Sequence, residues 1–395
     1  MSQDNLSVVT GCPGQLKLEK RQVPEVNPGE VLIKMNSVAI CATDVIYWQF
    51  GKLADYVIKK PMVLGHEGSG VIQKVGCGVT NVKTGDKVAI EPGVPRDTDD
   101  YVKAGRYNLS PTIYFCSSPP DDGLMCRFFV HKADYVYKLP DCVSLEEAAL
   151  AEPLSVGIHA CRRGRVKLGC KVFICGAGPI GLCCLLIAKA MGASQILMCD
   201  FSCERLEKAK QMGASATIKV EKCPTCPIEF AQKVKTALGC SGAEVTLECT
   251  GAEFCVQAGI YATRSGGTVV LVGIGPASVN IPVSNAALRE LDIRGVLRYT
   301  NTWPMALAMM STKKVDVKPM ITHRFPLEQA TEGFETSKRG TGIKVIMQCE
   351  SQCQQQQQQQ SCQQSCPPPV QQCQQSCPPP PASSCQQQSC QQQSC

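Results

Sequence analysis

At 395 residues the chain is too long for one ordinary domain, and 44% hydrophobic residues suffice for real cores. The formal net charge is +6, but Lys and Arg are scattered; the densest group, Arg162, Arg163, Arg165 and Lys167, is short, so no nucleic-acid or membrane footprint is expected. No apolar run reaches the roughly 18 residues of a membrane span, and MSQDNLSVVTG lacks a basic stretch leading into an apolar one, so the expected compartment is the cytoplasm.

In chain order, the first 150 or so residues read as mainly β. Short runs such as VLIKMNSVAI (31–40), SGVIQKV (69–75) and KVAIEP (87–92) are separated by PG, CG and TGD turns. From 171 the period changes. KVFIC (171–175) is a continuously apolar strand, GAGPIG (176–181) follows, and an apolar helix runs to about Met191. QILMCD (195–200), EVTLECTG (244–251) and GTVVLVGIG (267–275) are further strands. Apolar strands alternating with helices predict an α/β, doubly wound parallel sheet of the Rossmann type.

Within that half, G-x-G-x-x-G has the context it needs, after a strand and opening a helix. Gly176 serves the tight turn, Gly178 the approach to a pyrophosphate, and Gly181 close helix–strand packing. Free N–H groups at the helix start then face the phosphates. Asp200 ends the next strand, where a carboxylate accepts from a ribose 2′-hydroxyl and repels a 2′-phosphate. The reading is NAD, although Arg205 nearby is of a type that serves NADP.

In the β-rich half, LGHEGSG (64–70) sets His66 beside Glu67 in a Gly-rich turn, and Cys41 ends an apolar strand. Thiolate, imidazole and carboxylate make a donor set suited to Zn²⁺, with one coordination position left open for catalysis. Singly, each residue has an ordinary structural alternative: a buried thiol, a core histidine, a turn carboxylate.

The 27 cysteines do not imply disulfides, since many lie in apolar runs such as VFIC (172–175) and LCCLL (182–186). CPTC (223–226) has no second pair at metal spacing and reads as a surface loop. Composition breaks after Glu350. Residues 351–395 hold no charged residue, and QQSCPPP occurs at both 363–369 and 374–380. With almost nothing apolar to bury, this segment is expected to be disordered, its Pro runs favouring polyproline II. It resembles the repeats of epidermal envelope precursors and Cys/Pro-rich sperm structural proteins, so tethering through Gln or Cys cross-links is one expectation and an inert extension the other.

At GHEGSGVIQKVGCGV (65–79) the chain resembles the zinc-dependent medium-chain dehydrogenase/reductase family. KKPMVLGHE (59–67), EPLSVGIHACRRG (152–164), CGAGPIG (175–181), QAGIYATRSGGT (257–268) and THRFPLE (322–328) point to its polyol-oxidising members. The resemblance implies a GroES-like β-barrel catalytic domain at 1–152, completed by 291–350, around an NAD-binding domain at 153–290. It implies one zinc on Cys41, His66 and Glu67, a zinc-bound water held by Glu152, and a hydroxyl of Thr43 for the alkoxide. Tyr47, Phe115, Glu152, Arg298 and Tyr299 would line the polyol pocket. Gly176, Gly178, Ile180, Gly181, Asp200, Arg205, Val272, Gly273, Ile274, Val296, Leu297 and Arg298 would hold NAD. The activity implied is reversible oxidation of the C2 hydroxyl of a polyol such as sorbitol, xylitol or L-iditol by a homotetramer; threonine- or butanediol-type alcohols, or a structural protein retaining the fold, are alternatives.

Departures from the family pattern accompany the match. The stretch 91–123, where many members carry a four-cysteine structural zinc, contains only Cys116, so no structural zinc is expected. In CATDVIYW (41–48), Ala42 and Thr43 stand where Gly-Ser is usual, and Ile46 where a proton-relaying His is usual.

Overall fold

The computed structural model describes residues 4–221 and 226–350. The expectations for the 351–395 segment and for most of CPTC lie outside the described residues.

The β-rich half is organised by a seven-stranded sheet. Its path runs Val136–Lys138, Lys87–Ile90, Glu67–Val75, Glu30–Ala39, Lys344–Gln348, Ile321–Pro326, with Phe128–Lys132 also pairing Glu30–Ala39. Strand Glu30–Ala39 shows why: Val31, Ile33 and Met35 alternate inward and are fully buried, while Glu30, Leu32 and Lys34 are partly exposed. The last two strands come from the far C-terminal stretch, so the end of the described chain pairs with the sheet that Glu30–Ala39 begins.

The second half is a six-stranded sheet in the order Ala216–Lys219, Gln195–Asp200, Lys171–Cys175, Ala243–Glu248, Thr263–Leu271, Asp292–Gly295, with every neighbouring pair parallel. Val172, Phe173, Ile174 and Cys175 are all buried, as expected of a strand covered by helices on both faces. From the central strand Lys171–Cys175 the chain winds first to one side and then to the other. The switch point opens a crevice at the C-terminal strand ends, where GAGPIG lies.

One boundary differs from the expected one. Asp292–Gly295 pairs in parallel register with Thr268–Leu271, so the dinucleotide sheet extends past residue 290. This edge strand is short and half exposed, and carries no periodic apolar signal in the sequence. Among the described residues no helix is long and apolar enough to cross a membrane.

Candidate active site

Cys41 caps the helix Ala42–Phe50, and the carboxylate of Asp44, three residues on, accepts from the Cys41 backbone N–H at 3.0 Å. That carboxylate also accepts from the Gly65 N–H (3.1 Å) and the Ser117 hydroxyl (2.7 Å). One buried side chain thus ties the Cys41 helix start to the turn that carries His66 and Glu67. The sulfur of Cys41, a ring nitrogen of His66 and a carboxylate oxygen of Glu67 lie within 4.8 Å of one another, the one such group of three among the described residues. Donors of these three types this close together fit a single zinc ion once they are drawn onto bonds of about 2.0–2.3 Å.

His66 Nδ1 lies 3.3 Å from Asp44 Oδ1, leaving Nε2 as the nitrogen for a metal. Burial pushes the Asp44 carboxyl up, but the neighbouring His66 and the bonds from Cys41 and Ser117 outweigh it and hold it below its ordinary value. Asp44 is a functional residue that sequence reasoning missed. Its signal was present: an acid three residues after the cap of a helix.

Glu152 stands in the first turn of the helix Ala151–Gly164 and is buried. Burial pushes its carboxyl up to about 7, opposed by His66 and reinforced by Glu67.

The substrate-side residues come from several elements. Phe115 lies between the metal cluster and Arg298: its ring centroid is 5.8 Å from that of His66, and the Arg298 guanidinium carbon sits 3.6 Å over its face. Arg298 donates to the Ser118 hydroxyl at 3.1 Å and holds a left-handed backbone with φ 51°. The strap around it is anchored on the opposing loop, with Asn108 donating to the Leu297 carbonyl (2.8 Å) and Thr300 to the Gly105 carbonyl (2.7 Å). A pocket of about 350 Å³ opens beside Phe115 and Arg298, bordered also by Tyr56, Ser118 and Asp121. Tyr56 and Ser118 were not foreseen; neither stands in a recognisable motif. Tyr47 and Tyr299 are buried. Thr43 and Ile46 are half buried on the Cys41 helix.

The dinucleotide motif has the geometry its glycines imply. Gly176 is left-handed at φ 94°, and a Cβ on Gly181 would lie 1.9 Å from the Gly176 carbonyl oxygen. A Cβ on Gly178 would meet only the Arg205 guanidinium at 3.9 Å, so the space above it is open for a phosphate. Asp200 accepts from the Ala177 N–H (2.8 Å) and the Ser202 N–H (2.9 Å), which aims it along the crevice. Ile180, Val272 and Val296 pack half buried against the core, whereas Ile274 and Leu297 are exposed. Glu248, also missed, accepts from the N–H groups of Thr250 and Gly251 and shapes the turn facing Gly273.

A β-rich half with a Cys–His–Glu cluster, set on a doubly wound dinucleotide half, defines the zinc-dependent medium-chain dehydrogenases. The family described as Alcohol dehydrogenase GroES-like domain matches residues 27–141, and that described as Zinc-binding dehydrogenase matches residues 179–312. Sorbitol dehydrogenase of Gallus gallus is 58% identical over 346 residues, 88% of this chain and 97% of the relative. That of Rattus norvegicus is 59% identical over 347 residues, 88% and 96% of the two chains. Among solved structures, an Escherichia coli oxidoreductase of unknown specificity superposes with a TM-score of 0.84 at 32% identity, covering 88% of this chain and 100% of that one. The chain belongs to the sorbitol dehydrogenase family of zinc-binding dehydrogenases. As a member it is an oxidoreductase that works with zinc and a nicotinamide dinucleotide.

Proposed function

We propose that the chain is an NAD-dependent zinc polyol dehydrogenase that reversibly oxidises the C2 hydroxyl of sorbitol, and of xylitol and L-iditol, to the ketose. The observation that carries this reading is the convergence of Cys41, His66 and Glu67 beside a wall built on Phe115 and Arg298.

When bound, zinc supplies a Lewis acid toward a hydroxyl, and NAD⁺ supplies the hydride acceptor. The protein's part is positional. Cys41, His66 and Glu67 are the zinc ligands, and Asp44 sets the His66 ring. Glu152 holds a water or a substrate hydroxyl by accepting its hydrogen bond, and the Thr43 hydroxyl does the same for the reacting oxygen. Tyr47, Arg298 and Tyr299 offer polar groups along a chain of hydroxyls, which suits a polyol better than an apolar alcohol. Gly176, Gly178 and Gly181 seat the pyrophosphate; Asp200 receives the adenosine ribose, favouring NAD over NADP by charge. Ile46 removes one imidazole from the path by which a proton reaches solvent.

Two further readings concern assembly. The edge strand Asp292–Gly295 carries the exposed Ile293, and Leu288 nearby is also exposed; an open strand edge of this kind favours pairing with a second copy, and a homotetramer is the assembly proposed. The Gln- and Cys-rich segment after Glu350 supports a second role, covalent tethering to a structural assembly, added to the enzyme rather than replacing it.

Purified full-length chain with NAD⁺ and sorbitol should form NADH, and should do so more slowly with threonine or butanediol. No NADH from any polyol would refute the proposal.

A further inference from the structure

Lys344 opens the strand Lys344–Gln348 and is only 2% exposed. Its ammonium donates to both carboxylate oxygens of Glu67, each at 2.5 Å, and lies 3.5 Å from the Ile40 carbonyl next to Cys41. Glu67 itself is fully buried, and the two residues are 277 positions apart in the chain. Lysine normally leaves its ammonium in water and buries only its stem. A buried ion pair is often no more stabilising than apolar residues of the same volume, so stability alone is a weak reason for this one. What distinguishes this pair is its carboxylate, which also faces Cys41 and His66. A carboxylate oxygen has two lone pairs, so an ammonium on each oxygen does not exhaust what Glu67 can give.

We propose that Lys344 is a positioning residue that shares Glu67 with the metal, holding its carboxylate on the ammonium and lowering the grip of the site on zinc. This rests on the zinc reading of the site. The sign follows from charge. Without metal, the ammonium neutralises a buried carboxylate beside the Cys41 sulfur. When a divalent cation arrives, the same ammonium draws electron density from the ligand and repels the ion. Its presence therefore favours the metal-free state relative to the loaded one. A site held in this way keeps Glu67 displaceable, with the lysine ready to receive it.

The test uses full-length chain and zinc affinity, read by competition with a chelator of known affinity. Lys344→Met should bind zinc about tenfold more tightly than the parent and release it more slowly. Lys344→Gln, which keeps a donor for the buried carboxylate and so protects folding, should shift in the same direction. Lys344→Arg keeps the charge and should stay within about threefold of the parent. With Co²⁺ in place of zinc, the ligand-field bands should move in the neutral variants and not in Lys344→Arg. Zinc affinity unchanged or weakened in both neutral variants would overturn the role of Lys344, as would an equal gain in Lys344→Arg. A parent chain that binds no zinc would instead remove the reading of the site on which the proposal stands.

Discussion

Glu91 illustrates how one buried side chain sets a pH dependence. It is almost fully buried, its carboxylate accepts from the Tyr107 hydroxyl (2.5 Å) and the Tyr137 hydroxyl (2.7 Å), and His131 Nε2 bonds its backbone carbonyl. Burial outweighs the two hydroxyl bonds and pushes its carboxyl from 4.5 up to about 7. Between those values the folded chain keeps a proton that the unfolded chain has lost, so its contribution to stability falls as pH rises. The total is about 3 kcal/mol. Glu91→Gln should remove this slope: its stability relative to the parent should rise from roughly pH 5 to roughly pH 8 in denaturant titrations. A difference that stays constant with pH would refute the assignment. At this scale the sequence was informative where a residue belongs to a motif. The grouping of Cys41, His66 and Glu67 was legible because zinc chemistry selects these residue types. Glu91, Lys344 and Ser118 were not, because their roles come from partners 16 to 277 positions away along the chain.

At the scale of elements, the β–turn–helix at residues 171–190 separates two uses of glycine. Gly181 packs its helix onto the strand end, with the Gly176 carbonyl 1.9 Å from where a Cβ would lie. Gly181→Ala should therefore cost about 1–3 kcal/mol of stability, visible as a lowered melting temperature. Gly178 has open space and an ordinary extended backbone, φ −75°. Gly178→Ala should leave the melting temperature within about 3 °C of the parent while raising the KM for NAD⁺ severalfold, because the methyl fills phosphate space. Equal melting temperatures for the two variants would contradict this division. The period-2 and continuous apolar runs made both sheets readable. The edge strand Asp292–Gly295 escaped because its pairing, not its own sequence, makes it a strand. The return of Ile321–Pro326 and Lys344–Gln348 to the first sheet came from family resemblance; nothing local in those runs specifies their partners.

At the scale of the whole molecule, the proposed catalytic and cofactor residues end at Tyr299 and the positioning Lys344 follows them; Cys349 and Glu350 are still packed, Glu350 pairing with Lys34 at 3.3 Å. A chain ending at Glu350 should keep the full-length protein's kcat and KM for polyol and NAD⁺, and should lose any covalent attachment to insoluble cell material. Identical fractionation of the two chains in cells would discard tethering; a loss of activity on truncation would tie residues 351–395 to catalysis. Cys41, His66 and Glu67 are the one cluster of three such groups among the described residues, and the stretch 91–123 with one cysteine cannot hold a four-thiolate ion.

The central claim is one catalytic zinc per chain working with NAD⁺ on a polyol hydroxyl. Its most direct test measures zinc content and sorbitol-dependent NADH formation together, through complete chelation and stepwise return of zinc. Activity should vanish on stripping and return in proportion to zinc, levelling off at one ion per chain. NADH formation that survives complete zinc removal, or activity that needs a second ion, would contradict it.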